Sequence, residues 1–229
     1  MQLAQRIFQT VAVNKISKEL TDVSVSFAKN NGGNNPVADF IKGGFLKKFG
    51  AEIGIRMPHL ISIKSEQGQA ALGIRRATEK LFVEHYLTMP IERYAQQHLG
   101  KGERSSIVEI GHLYSAHRAL TLPLFMSLAR CLIFAKQDVL VFCATDKVIS
   151  LLSNLGIKLV KLGKADQAKL PASSDNWGSY YETNPQVVMA DLTQIAYLIN
   201  HNKSYIKLFD NLSLISHQLM MSVREEFVC

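Results

Sequence analysis

The sequence has no apolar run long enough to cross a bilayer. Its longest, Leu122 to Ala135, has 14 residues and includes Arg130. A spanning helix needs about 20 apolar residues, so this stretch reads as a buried helix. Residues 1–30 lack the basic-then-apolar order of a secretion signal, and a cytoplasmic location is expected. Cysteine is scarce: three in the chain, an odd number, with no pair at metal-ligand spacing. No disulfide framework and no metal are therefore expected, and the chain reads as one folded in a reducing compartment. Cys131 and Cys143 sit in apolar surroundings and read as inert core residues, while Cys229, the last residue, reads as exposed. Basic residues are nowhere denser than Lys47-Lys48 or Arg75-Arg76, which argues against a nucleic-acid partner. Internal repeats and low-complexity tracts are absent.

What is present is a globular composition, 47% hydrophobic and 20% charged, over 229 residues. That length suits one large domain or a domain with an appendage. The net charge of +7 favours an anionic partner such as a phosphate, an acyl carrier protein or a membrane surface.

The most ordered signal lies between Ser106 and Thr145. Ile107 to Tyr114 reads as a buried strand with a glutamate set into it, Ser115 to Arg118 as a polar turn, Leu122 to Ala135 as a helix. Val139 to Ala144 is an unbroken apolar run, the pattern of a strand covered on both faces. Two strands joined by a helix form a parallel crossover unit, and ligands in such sheets sit beyond the carboxyl ends of the strands. Upstream, Val11 to Phe27 alternates in places, Asn30 to Pro36 is a breaker and an expected mobile loop, and Val37 to Phe49 suggests a helix interrupted at Gly43-Gly44. Leu60 to Ile63 and Ala70 to Arg76 read as a hairpin. A helix is expected from Thr78, with Leu81, Phe82, His85 and Tyr86 at helical spacing and Pro90 as its stop. Ile91 to Leu99 reads as a second helix closed by Gly100. Lys147 to Leu155 reads as a helix, Ile157 to Leu162 as a strand, and Lys164 to Asn176 as a loop. From Asp191 the chain is expected to be helical, with Tyr205, Leu208, Phe209, Leu212, Ile215, Leu219 and Val223 forming an apolar stripe.

Glu109 leads the candidates for chemistry. Alternation places it on the face of Ile107 and Leu113. A carboxylate among apolar groups has a raised pKa and can act as a base or bind an amine; the same residue also reads as a structural glutamate paired with an arginine across the sheet. Gly111, inside the strand, marks either a bulge or tight helix packing. A bulge would turn His112 to the side of Glu109, as a base or as polar lining. Ser115, His117 and Arg118 precede a helix amino terminus, where an anion is favoured, although this turn lacks the glycine that phosphate cradles use. Arg75 and Arg76 should face opposite ways, one to the surface and one to the cleft, where it would hold a carboxylate. Trp177 to Tyr181 reads as pocket lining or as a loop anchor.

Several stretches together resemble the bacterial thermostable hemolysin family: Lys48 to Ile53, Met57 to Leu60, Gly73 to Arg75, Leu81 to Leu87, Pro90 to Glu92, Ile107 to Leu113, and Trp177 to Tyr181 with Pro185. The resemblance covers about residues 45 to 190. Its sequences in turn resemble the N-acetyltransferase (GNAT) superfamily, and especially the acyl-homoserine-lactone (autoinducer) synthase branch. The resemblance implies an α/β fold with a GNAT-like mixed central sheet flanked by helices, and a C-terminal helical extension. The expected parts are an N-terminal segment (1–45), an acyltransferase-like core (46–190) and the extension (191–229). In the synthase branch a Glu-x-Ser-Arg strand lines the acceptor pocket. Glu109 stands at that glutamate, while Gly111 and His112 occupy the serine and arginine positions. Arg75 resembles another pocket arginine. Family members usually have Asn after the strand glycine and a Pro-Gly in the next turn; this chain has His112 and Ser115 to Arg118.

The implied activity is transfer of an acyl group from an acyl thioester, on acyl carrier protein or coenzyme A, to a small-molecule amine acceptor. The implied roles are catalytic for Glu109 and His112, substrate-binding for Arg75, Arg76, Trp177 and Tyr180, and donor-binding for Leu113, Ser115, Arg118 and Thr145. The family name records a blood-cell-lysing phenotype, so a direct, secreted, membrane-damaging cytolysin is the alternative. It rests on the C-terminal stripe and the positive charge.

Overall fold

Val25 and Phe27 alternate with Ser24 and Ser26 in the first strand, β1 (Ser24–Lys29). The computed structural model describes residues 23–171 and 175–227; the upstream part of the alternation expected from Val11, and Cys229, lie outside them. Six more strands follow: β2 (His59–Ser65), β3 (Gly68–Arg76), β4 (Ile107–Ser115), β5 (Val139–Ala144), β6 (Leu159–Lys164) and β7 (Gln186–Asp191). They form one seven-stranded sheet in the order β1-β2-β3-β4-β5-β7-β6. The expected hairpin is β2–β3, and the expected parallel pair is β4–β5, while the remaining neighbours run antiparallel.

Seven helices are described: α1 (Pro36–Phe49), α2 (Ile91–Leu99), α3 (Thr121–Phe134), α4 (Asp146–Asn154), α5 (Leu192–His201), α6 (Lys203–Asn211) and α7 (Ser213–Phe227). They cover both sheet faces. On one, Ile61, Leu72, Val108, Ile110, Leu140 and Val188 pack against α3 and the C-terminal helices. On the other, Ile107, Val139 and Val141 pack with Ile91 and Ala95 of α2, and Leu60 and Ala71 pack with Ile41 and Phe45 of α1.

The C-terminal stripe belongs to the core. Tyr205, Leu208, Phe209, Leu212, Leu219 and Val223 are buried, and the Tyr205 hydroxyl donates to the Leu155 carbonyl at 2.8 Å. The stripe runs over two helices, α6 and α7, rather than along one amphipathic rod. No helix among the described residues is long and apolar enough to cross a membrane.

Two expectations are corrected. The helix expected from Thr78 is only a 3-10 turn, Phe82–His85. Side chains take backbone donors in and around it: Glu84 accepts from Leu81 and Ile91, and Glu109 accepts from Phe82 and Val83. The break expected at Gly43-Gly44 does not occur. Instead α1 runs unbroken from the Asn35 cap, which accepts from the Val37 and Ala38 amides, to Gly50 in the left-handed region at φ 64°; Gly44 gives the Tyr114 ring room to lie against the helix. Strand β7, a stretch with no assignment from the sequence, inserts between β5 and β6. Its four apolar residues Val187 to Ala190 are buried on both faces, the pattern of a central strand.

After β6 the chain returns across the end of α1 as a strap. The Ser179 amide donates to the Phe49 carbonyl at 2.8 Å, and the Gly178 amide donates to Asn176 Oδ1 at 3.0 Å. Gly178 has φ 49°, and a Cβ there would run into the Phe49 carbonyl. Gly178→Ala should therefore cost about 2 kcal/mol. Thermal unfolding followed by the fluorescence of Trp177, the single tryptophan, should show a lowered midpoint; an unchanged midpoint would mean the strap is not held this way.

Candidate active site

The site begins with two glycines. Gly73 on β3 and Gly111 on β4 are register partners, and neither has space for a Cβ because Met57 lies across both. One step further the register slips: Ala71 pairs with Tyr114, so β4 carries one more residue than β3 over this interval. The surplus is a bulge, and His112 sits in it at φ 54°. The bulge puts His112 on the side of Glu109 and Gly111, where its ring stacks on Trp177, centroids 6.3 Å apart at 11°. It also reverses the next residue. Leu113, expected on the face of Glu109, packs instead into the core under α3.

The parallel ladder stops at the same place. Its last pair is Ile110 with Phe142; beyond it β4 and β5 part. The gap is a cavity of about 100 Å³, lined from β4 by Glu109 to Leu113 and from β5 by Phe142 and Cys143, with Thr121, Phe125, Thr145 and Val148 on the core side. Across its mouth lie Phe45, Lys48 and Phe49 of α1 and the aromatic strap, Trp177, Tyr180 and Tyr181. Trp177 is 6% exposed, and its Nε1 has no hydrogen-bond partner, nor has His112 Nδ1. Both are polar atoms available to a ligand.

Glu109 is 1% exposed. Its Oε1 accepts from the Val83 amide at 2.8 Å and its Oε2 from the Phe82 amide at 3.1 Å. Burial pushes its pKa up to about 7, against the opposing pull of those two amides and of Arg75. Arg75 is its cross-strand partner, and its guanidinium donates to the Arg56 carbonyl at 2.6 Å. Burial pulls His112 down to about 4, so the ring is neutral at physiological pH. Burial also raises the Cys143 thiol well above its ordinary value, which keeps it protonated.

A second cavity, of about 210 Å³, shares Met57, Phe82, His112 and Trp177 with the first and adds Arg56, Arg75, Lys80, His85 and Asp175. Arg56 grips Asp175 with both guanidinium nitrogens, at 2.7 and 3.3 Å. Cations outnumber carboxylates here.

The structure brings together Glu109, His112, Trp177, Tyr180, Leu113 and Thr145 around the first cavity, and Arg75 in the second. It separates three residues from them. Arg76 turns to the opposite face, its guanidinium 5.7 Å from the centre of the Phe227 ring. Ser115 still belongs to β4, paired with Ala70, and donates to the His117 carbonyl at 2.7 Å. Arg118 is exposed in a short 3-10 turn. The strand outlasts the expected turn, and that carries both away from the gap. Sequence reasoning missed Met57, Tyr86 and Lys48 as site residues. Met57 had a signal in the two glycines that make room for it. Tyr86 and Tyr181 share a 2.5 Å hydroxyl contact across 95 residues that no local pattern reveals. Among the described residues no cluster of three or more His, Cys, Asp or Glu is arranged to hold a metal.

The family model for thermostable hemolysin matches residues 27–196. The chain belongs to that family. No curated protein matches the sequence. Among solved structures it is similar to the acyl-homoserine-lactone synthase LasI, with a TM-score of 0.50 and 14% identity over 77% of this chain and 95% of that one. It is also similar to FeeM, an N-acyl amino acid synthase from uncultured soil microbes, with a TM-score of 0.51 and 12% identity over 77% and 94%. The fold of this family member is thus GNAT-like, a mixed sheet with flanking and C-terminal helices.

A raised carboxyl pKa has a thermodynamic signature. The native state holds the Glu109 proton up to about pH 7, whereas an unperturbed glutamate loses it near pH 4.5. Stability from this group is complete below pH 4.5 and falls as pH rises through 7. Glu109→Gln removes the dependence. The stability of wild type relative to this variant should drop by about 3 kcal/mol between pH 4 and pH 8, as measured by urea unfolding at each pH. A flat difference would mean that Glu109 titrates normally.

Proposed function

We propose that this protein is an N-acyltransferase that moves an acyl group from a thioester to a small amine. The observation that carries the reading is a buried carboxyl with a pKa near 7, set where two parallel strands part around an apolar gap. A carboxyl in that range accepts a proton from an ammonium or attacking amine and gives it up again near neutral pH. Glu109 is the base in this scheme. His112, three units lower, is too weak for the task and serves as polar wall, with Nδ1 free to orient the acceptor.

The amine nitrogen attacks the thioester carbonyl, a C–N bond forms and the C–S bond breaks. The nitrogen proton passes to Glu109 and then to the departing thiolate. Backbone groups of Gly111 to Leu113 on the edge facing β5 have no strand partner there and are placed to meet carbonyl charge. The acyl chain would lie against Phe125, Phe142 and Val148. The family resemblance and the names of LasI and FeeM agree with this chemistry.

The second cavity suits an acceptor that carries a carboxylate beside its amine. Arg75 and Lys80 supply the positive charge there, and Arg76, packed on Phe227, does not contribute. On the donor side Lys48 lines the first cavity; burial, and next Lys147, lower its pKa. These two lysines take the part expected of Ser115 and Arg118 toward an anionic donor, a coenzyme A ester or an acyl carrier protein.

Thiol release from acyl thioesters should depend on the amine added, and Glu109→Gln should lower it about tenfold or more; equal rates would sink the assignment. Arg75→Gln should raise KM for carboxylate-bearing amines while leaving simple alkylamines unaffected, and an equal effect on both would remove Arg75 from acceptor binding. The apolar stripe on which the lytic reading rests is taken up by the core at Tyr205, Leu208, Phe209, Leu212, Leu219 and Val223. Donor-free protein should leave dye-loaded liposomes intact, and prompt leakage would revive the cytolysin.

A further inference from the structure

We propose that Arg104 is a positioning residue for Glu109, acting through the loop between β3 and α2; the proposal rests on the role given to Glu109 above. Arg104 lies just before β4 and donates outward from it. Its Nη1 reaches Glu84 Oε1 and Glu92 Oε2, both at 2.7 Å, and its Nη2 reaches Glu84 Oε2 at 2.8 Å and the Glu79 carbonyl at 2.7 Å. The grip on Glu84 is a two-pronged guanidinium–carboxylate pair, which fixes orientation as well as distance.

Glu84 uses the same two oxygens to close the loop. Oε2 accepts from the Leu81 amide at 2.8 Å and Oε1 from the Ile91 amide at 2.9 Å, tying the loop's start to the first residue of α2. Inside that clasp are Phe82 and Val83, whose amides hold Glu109. One arginine thus sets the turn, and the turn sets the carboxylate. Burial alone would raise the Glu84 pKa; Arg104 and the two amides outweigh it and bring the value to about 2, so Glu84 stays ionised and the clasp stays shut across the physiological range.

The groups facing Glu109 are few. Arg75 faces it from β3 and Glu84 from the loop; the Cys143 thiol faces it from β5 and is neutral. Of these influences, the loop amides are the strongest that favour the ionised carboxylate. Loosening the loop should therefore raise the Glu109 pKa.

The test uses full-length protein with 13C at the glutamate carboxyl carbons and needs no donor or acceptor. The Glu109 resonance is the one lost in Glu109→Gln, and its midpoint is followed with pH. Arg104→Met should raise that midpoint by about one unit, Arg104→Lys by less, and Glu92→Gln, which leaves the Glu84 pair in place, should not move it. An unchanged midpoint in folded Arg104→Met, or an equal shift in Glu92→Gln, would overturn the proposal. If Arg104→Met does not fold, Arg104→Lys decides: a raised midpoint supports the proposal and an unchanged one overturns it. Because no turnover is measured, this result stands apart from whether the protein proves to be an acyltransferase.

Discussion

Two backbone amides holding one buried carboxylate are the contact on which this structure depends. Glu109 lies in the middle of an apolar sheet, where an unpartnered carboxylate would be heavily penalised. The Phe82 and Val83 amides offset part of that cost and leave the group poised near pH 7. To present those amides the chain gives up a helix after β3 and makes a short turn, and the turn needs Glu84 and Arg104 to keep its shape. Local helix propensity yields here to the demands of a single side chain 26 residues further on.

A second constraint is steric. Gly73 and Gly111 face each other and let Met57 cross both strands, and the bulge that follows lets β4 leave β5. Without the bulge His112 would point away from Glu109, and without the parting there would be no gap. Helix α1 and the strap at Trp177 then roof the opening with rings: Phe45 packs on Phe49 and Trp177, and Tyr180 packs on Phe49 and Trp177. In the proposed reaction these rings would shield the proton transfer from bulk water, which strengthens the charge interactions beneath them.

Much of this was legible in the residues. Strand periodicity placed Glu109 inside, the strand glycine offered either a bulge or tight packing, and the bulge alternative gave the direction of His112. The same periodicity misplaced Leu113, because plain alternation does not survive the extra residue that the bulge inserts. Ser115 and Arg118 were drawn toward the site by their position before a helix; strand pairing with Ala70 decided otherwise. The Phe82 turn, the Tyr86–Tyr181 contact and the place of β7 depend on partners far along the chain, and local pattern carries no trace of them. The resemblance to the thermostable hemolysin family supplied the fold class that periodicity alone left open.

The central claim is that the gap between β4 and β5 receives an acyl thioester beside Glu109. A crystal structure with a non-reactive thioether analogue of an acyl-coenzyme A would test it most directly. The account predicts the analogue between β4 and β5 beyond the Ile110–Phe142 pair, with the methylene that replaces its thioester carbonyl at the Gly111–Leu113 bulge, its acyl chain against Phe125 and its phosphates toward Lys48. An analogue seated elsewhere, with the gap still closed by its own side chains, would contradict it.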